Sequence, residues 1–168
     1  MGVKRQIIIE GDVARIPLTH GKFAIIDAED VPRVAGYDWS ALLVRGKWYA
    51  RRSKWTKEKQ TTILLHRVIL NAPDDKHVDH RNGDGLDCRK LNLRLATQQQ
   101  NNMNTSMKRN SASGIKGVRK HSMANRYVSD ICVNGVRKYL GCFKTAEEAY
   151  AAYCAASAEL HGDFGRVK

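Results

Sequence analysis

The sequence predicts an α+β protein, β-rich at its N-terminal end. Three observations carry this: short β-branched and aromatic stretches punctuated by glycine, a polar centre poor in large apolar residues, and a hairpin followed by a long helix. The first stretches are Gln6 to Glu10, Val13 to Leu18, Phe23 to Asp27, Ala41 to Val44, Lys47 to Arg51 and Thr62 to Leu65. Gly11, Gly21 and Gly46 separate several of them, and a helical turn fits Asp30 to Tyr37. The centre, Asn71 to about Asn104, is rich in Asp, Asn, Arg and His, so burial alone cannot organise it. In the last part, Ile115 to His121, Arg126 to Val133 and Val136 to Phe143 read as three strands. Asn134-Gly135 joins the last two as a two-residue turn, because both central positions must tolerate positive φ. A helix then starts at Thr145, which forms a capping box with Glu148, and Ala149, Ala152, Tyr153, Ala156 and Leu160 recur at helical spacing ahead of Gly162. The expected organisation is residues 1–104, a linker at 105–113, and residues 114–168.

Charge narrows the class of partner. The chain carries 29 Lys+Arg against 17 Asp+Glu, a formal charge of +12, which suits a protein that sits on a polyanion. No apolar run approaches the roughly 18 residues needed to span a bilayer, and the first ten residues lack a small-residue cleavage site after an apolar stretch. The expectation is a soluble cytoplasmic protein with no membrane association. Cys88, Cys132, Cys142 and Cys154 are scattered without zinc-ligand spacing, so they read as reduced and structural.

The densest chemistry lies in His77-Val78-Asp79-His80-Arg81-Asn82-Gly83-Asp84-Gly85, an Asp-His pair at a strand end before a glycine-rich turn. Neighbours on a strand face opposite sides, yet beside a turn both can reach one site. Asn92 follows within Leu91 to Thr97, whose alternation suggests a second strand. Thr97 and Gln100 form another capping-box pattern, which places Asn101 on the first turn of a helix. Asp84 and Asp87 suit caps that shape the turn, and His66, flanked by apolar residues, suits a core or DNA-contact position.

The pattern Val78-Asp79-His80-x-Asn82-Gly83-x-Gly85-Leu86-Asp87, with Asn92-Leu93-Arg94 and Gln100-Asn101, resembles the HNH endonucleases, including phage and intron-encoded homing enzymes. The resemblance implies a ββα-metal (His-Me) finger over about 66–104, with Asp79 and Asn101 as metal ligands, His80 as general base and Asn92 as a brace for the loop backbone. Oxygen ligands favour one Mg2+ or Mn2+ ion over zinc. Arg81, Arg89, Lys90 and Arg94 become expected phosphate contacts. The chemistry is coherent in itself: phosphodiester hydrolysis needs an activated water and charge neutralisation, and a neutral imidazole can take the proton.

Residues 114–168 resemble the ethylene-response-factor (apetala-type) DNA-binding domain, three antiparallel strands on one helix. The match rests on Gly117-Val118-Arg119, Tyr139-Leu140-Gly141-x-Phe143, Thr145-x-Glu147-Glu148-Ala149 and Ala151-Ala152-Tyr153. It implies a DNA-facing sheet bearing Lys116, Arg119, Arg126, Arg137 and Tyr139, while Tyr127 and Cys132 depart from the plant pattern. Trp48, Tyr49 and Trp55, set among Arg45, Lys47, Arg51, Arg52 and Lys54, read equally as core or as a nucleic-acid stacking surface. The combined expectation is a monomeric double-stranded-DNA endonuclease of the homing type, encoded by a phage or mobile element in a bacterial host and needing no small-molecule cofactor. The alternatives are a non-catalytic DNA-binding regulator and a nonspecific phage nuclease of packaging or recombination.

Overall fold

The computed structural model describes residues 5–104 and 113–167, so residues 105–112 of the expected linker lie outside the described residues. The chain forms two compact units, Met1–Thr97 and Gln98–Lys168. The fold is mixed, β-rich with few helices, and no helix among the described residues is long and apolar enough to cross a membrane.

The first unit begins with an antiparallel meander of β1 (Ile8–Glu10), β2 (Val13–Pro17) and β3 (Phe23–Asp27). Its alternation is plain in β2, where Ala14 and Ile16 are buried and Arg15 between them is exposed. A short helix, α1 (Val31–Val34), leads to a second meander of β4 (Ser40–Val44), β5 (Lys47–Trp55) and β6 (Gln60–Leu64). Arg45 and Gly46 turn the β4–β5 hairpin with φ of 49° and 79°, the pair of positive values that a two-residue hairpin turn requires. Trp39 lies in the core and donates its indole N–H to the Val34 carbonyl at 3.1 Å, so its one polar atom is satisfied.

Helix α2 (Leu65–Leu70) follows β6 directly. The sequence reading stops at a strand ending at Leu65 and misses this helix. Its run Leu64-Leu65-His66-Arg67-Val68-Ile69-Leu70 is short and nearly all apolar, so periodicity cannot separate a buried turn of helix from a buried strand. Leu65, His66 and Ile69 are its buried side, and Asn71 ends it in the left-handed region. The ladder of β7 (His77–His80) with β8 (Leu93–Ala96) completes the unit.

The second unit opens with helix α3 (Gln98–Met103). An antiparallel sheet follows, in which β10 (Tyr127–Val133) lies between β9 (Val118–Lys120) and β11 (Val136–Phe143). Asn134 and Gly135 turn its hairpin with φ of 54° and 81°. Helix α4 (Ala146–His161) packs on this sheet through Ala149, Tyr153, Ser157 and His161. Ala152, Ala156 and Leu160, expected as the packing stripe, flank that row instead. Polar partners draw the contact toward Ser157 and His161, whose imidazole Nε2 lies 2.9 Å from the Cys132 carbonyl. Gly117, at φ 75°, sits so close to the Tyr153 ring that a Cβ there would overlap it.

The capping box at Thr145 holds the start of α4: the Thr145 hydroxyl accepts the Glu148 N–H at 3.2 Å, and the Glu148 carboxylate accepts the Thr145 N–H at 3.3 Å. Replacing Thr145 by Ala is expected to cost about 1 kcal/mol. Urea unfolding followed by circular dichroism checks this, and an unchanged midpoint would show that packing alone holds the helix end.

Candidate active site

In the β7–β8 ladder Asp79 stands opposite Arg94 and His80 opposite Leu93. Opposed residues on one face approach closely, and the Arg94 guanidinium places Nε at 2.8 Å and Nη2 at 2.7 Å from Asp79 Oδ2. Both side chains are buried, at 4% and 9% exposure, so this pair is held away from solvent. His80, next along the strand, turns to the other side and meets two rings. Its imidazole lies 4.9 Å from that of His66 at 86° and 6.0 Å from the Tyr49 ring at 61°, while His66 and Tyr49 are 5.9 Å apart.

The loop between the strands is organised by its own polar side chains. Asn82 Oδ1 accepts the Asp84 N–H at 2.8 Å, and Asp84 Oδ1 accepts the Leu86 N–H at 3.0 Å, two successive turns closed by short side chains. Asn92 closes the whole loop: its amide oxygen accepts the Asn82 N–H at 3.0 Å and its amide nitrogen donates to the Asp87 carbonyl at 2.7 Å. The Asn92 carbonyl also accepts the Arg81 N–H at 2.8 Å. Further along, Ile25 of β3 donates to the Leu86 carbonyl at 2.8 Å and accepts the Cys88 N–H at 2.7 Å, which stitches the loop to the first meander. Gly85 lies under the Trp48 carbonyl and the Tyr49 ring, where no Cβ would fit.

Burial sets the charge state of both imidazoles. It pushes His80 down to about 4, against the opposing pull of the Asp79, Asp84 and Asp87 carboxylates, and Lys47 lowers it further. His66 is pushed down to about 3 by burial, then by His80 and Arg67. Tyr49 is raised by burial and by the Asp79 charge. The Arg89 side chain, bonded to Asp87 at 2.8 and 2.7 Å, holds that carboxyl below its ordinary value. At neutral pH the site thus presents a neutral imidazole beside a carboxylate, the charge state a general base needs.

Residues 64–103 match a sequence profile described as HNH endonuclease. An uncharacterized HNH endonuclease of Acanthamoeba polyphaga mimivirus is 33% identical over 151 residues, covering 86% of this chain and 73% of that protein. The chain belongs to the HNH endonuclease family. No solved structure matches it.

Within this HNH endonuclease the sequence-assigned residues fall in different places. Asp79, His80 and Asn92 are gathered at the β7–β8 end of the first unit, and Asn101 lies on α3 in the second. Among the expected phosphate contacts, Arg81 is exposed. Arg89 is engaged by Asp87, and Lys90 by Glu29 at 2.6 Å and Asp30 at 3.1 Å. Two residues expected as DNA contacts turn inward. Arg94 is buried against Asp79, where a carboxylate directly across the ladder outcompetes solvent. Lys116 donates to the Met103 carbonyl at 3.0 Å and the Arg166 carbonyl at 2.9 Å, and burial, with Arg166, pulls it down to about 8. Arg119 and Arg137 flank Asp130 at 3.2 and 3.6 Å, while Arg126 and Tyr139 are exposed.

Tyr49 is the site residue that sequence reasoning left undecided, and its half-buried ring joins the imidazoles rather than the surface. Trp48 packs partly on the core, whereas Trp55 is 73% exposed. The one sequence signal for the ring cluster is His66 itself, a polar residue inside an apolar run.

Two measurements test this geometry. Asn92→Leu leaves the Asn82 N–H and the Asp87 carbonyl without their partner, and is expected to cost roughly 2–4 kcal/mol in urea unfolding; a loss below about 0.5 kcal/mol would deny the clamp its role. The second concerns pH. In the unfolded chain both imidazoles take up protons below about 6.5, whereas in the fold they resist until about 4 and 3. The unfolded state binds more protons in that interval, so stability falls as pH drops from about 6.5 toward 4. The urea midpoint should be lower at pH 5.5 than at pH 7, and the difference should shrink in His66→Phe; a midpoint that does not move would contradict the buried neutral imidazoles.

Proposed function

We propose that the chain hydrolyses phosphodiester bonds in double-stranded DNA at the β7–β8 loop, with His80 as general base. One observation carries the reading: in an HNH endonuclease, a buried neutral imidazole at the His80 position is fixed beside a carboxylate by an Asn92-clamped loop. Neutral His80 takes the proton from the attacking water, and burial keeps it unprotonated well below neutral pH. Asn92 keeps the loop backbone in place as the proton moves. Arg81, exposed at the loop entrance, suits a phosphate contact.

A divalent ion is part of this proposal. Among the described residues no group of three or more His, Cys, Asp or Glu side chains is gathered around one point. The Asp79 carboxylate is a hard oxygen donor, held in place by Arg94, and Cys88 is buried with its thiol pushed up by that burial, so that no thiolate competes. Oxygen donors suit a cation that retains several waters, as Mg2+ or Mn2+ does, and the resemblance to the family motif is what assigns Asp79 and Asn101 as its ligands. When bound, the ion would neutralise phosphate charge and assist the leaving oxygen.

The second unit is proposed to hold duplex DNA through the β9–β11 sheet, in the manner of the apetala-type domain it resembles in sequence. Arg119, Arg126, Arg137 and Tyr139 support this as polar side chains on exposed strands of a strongly basic chain. A nuclease unit joined to a separate basic sheet suits a homing enzyme with a long preferred site. One catalytic loop per chain suits nicking by a monomer.

The full chain with Mg2+ or Mn2+ is expected to nick supercoiled plasmid, and His80→Ala to lose ~100-fold or more of that activity. Equal cleavage by wild type and His80→Ala, or none under any metal, would reject the reading. Metal-independent binding without cleavage would favour a DNA-binding regulator. Affinity should also fall with salt at a log-log slope of about −0.9 per phosphate contacted.

A further inference from the structure

The site contains a second imidazole that the hydrolytic scheme does not use. His66 occupies the first turn of α2, whose N-terminal neighbour Leu64 is still extended, so the strand-to-helix junction fixes where its ring points. The residue is 6% exposed, and its ring contacts those of His80 and Tyr49. Its plane stands at 86° to that of His80 and at 72° to that of Tyr49. This is the edge-to-face arrangement that flat rings prefer, because the positive edge of one meets the negative face of another. Tyr49 in turn stands at 61° to His80 and is pinned by the close approach of Gly85. His80 is thus packed by two mutually contacting rings that come from α2 and β5, two elements outside its own hairpin.

We propose that His66, together with Tyr49, is a positioning residue that holds the His80 imidazole in the orientation its role as base requires. The proposal rests on the reading of His80 as the base. A general base works only when its lone pair is aimed at the water, and small angular errors cost heavily. An imidazole has two side-chain torsions, and contact with two rings restricts both. His66 acts by packing: its Nδ1 is buried with no hydrogen-bond partner, so the ring and not a bond from that atom meets His80. The pairing is long-range, between a helix and a strand separated by the 71–76 segment.

The test compares His66→Leu, which fills the space without a flat ring, with His66→Phe, which restores one. In single-turnover nicking of supercoiled plasmid with Mn2+ at saturating protein, His66→Leu is expected to be slower by ~10- to 100-fold. DNA affinity measured in chelator should stay within about twofold, since the ring is too buried to touch DNA. His66→Phe should recover most of the lost rate. Independently of activity, the His80 ring-proton NMR signals should lose their ring-current displacement in His66→Leu and keep it in His66→Phe. Wild-type cleavage by His66→Leu overturns the proposal, as does a folded His66→Phe that is as slow as His66→Leu. Equal cleavage by wild type and His80→Ala removes the base assignment and this role with it. That failure is told apart by the His80 signals, which would still respond to position 66.

Discussion

The Asn92 side chain is the constraint on which the site depends. A loop from Asn82 to Asp87 leaves backbone donors and acceptors that neither strand of the hairpin can pair, and unpaired groups at that depth are costly. A carboxamide offers one acceptor and two donors, and Asn92 uses both kinds on opposite ends of the loop, the Asn82 N–H and the Asp87 carbonyl. A carboxylate at this position could only accept, and an aliphatic side chain could do neither. With the ends tied, the short Asn82 and Asp84 side chains shape the interior of the loop. The ladder beside it then keeps Asp79 facing Arg94 and His80 facing the rings.

The two faces of that ladder make opposite electrostatic choices. On one, Asp79 and Arg94 are buried together as full charges. Such a pair adds little net stability, because desolvation offsets the attraction, but removing either partner would strand the other at a cost of about 3–5 kcal/mol. On the other face, His80 sits near three carboxylates, which favour its charged form, yet burial outweighs them and the ring stays neutral. Charge is thus retained as a buried pair on one face of the ladder and withheld from the imidazole on the other.

Much of this was legible in the sequence where the signal is local. Asn134-Gly135 and the Thr145/Glu148 pair each encode their turn or cap in adjacent residues, and both occur as read. The Asp79-His80 and Asn92 spacing located the loop, because the motif itself is contiguous. What escaped depends on covering elements. In β8 the alternation of Leu93, Arg94 and Leu95 suggests an outward arginine, but Arg94 is buried while Leu95 is 44% exposed. The reason is that Asp79 across the ladder supplies a partner that the strand's own pattern cannot reveal. Helix α2 was missed because its run is apolar all round, and the gathering of Tyr49, His66 and His80 requires three separated segments to meet.

The pairing pattern also redistributes the chain's excess of positive charge. With a formal +12, an even spread would make every part of the surface attractive to a polyanion. Around the Asn92 loop, however, Arg89, Lys90 and Arg94 are committed to Asp87, to Glu29 and Asp30, and to Asp79. Basic residues that lie close to this loop in sequence are therefore paired with carboxylates. Arg81, by contrast, is exposed. In the second unit Arg119 and Arg137 share one carboxylate, Asp130, yet remain 55% and 72% exposed. Exposed pairs of that kind are weak and exchange readily for a stronger anion.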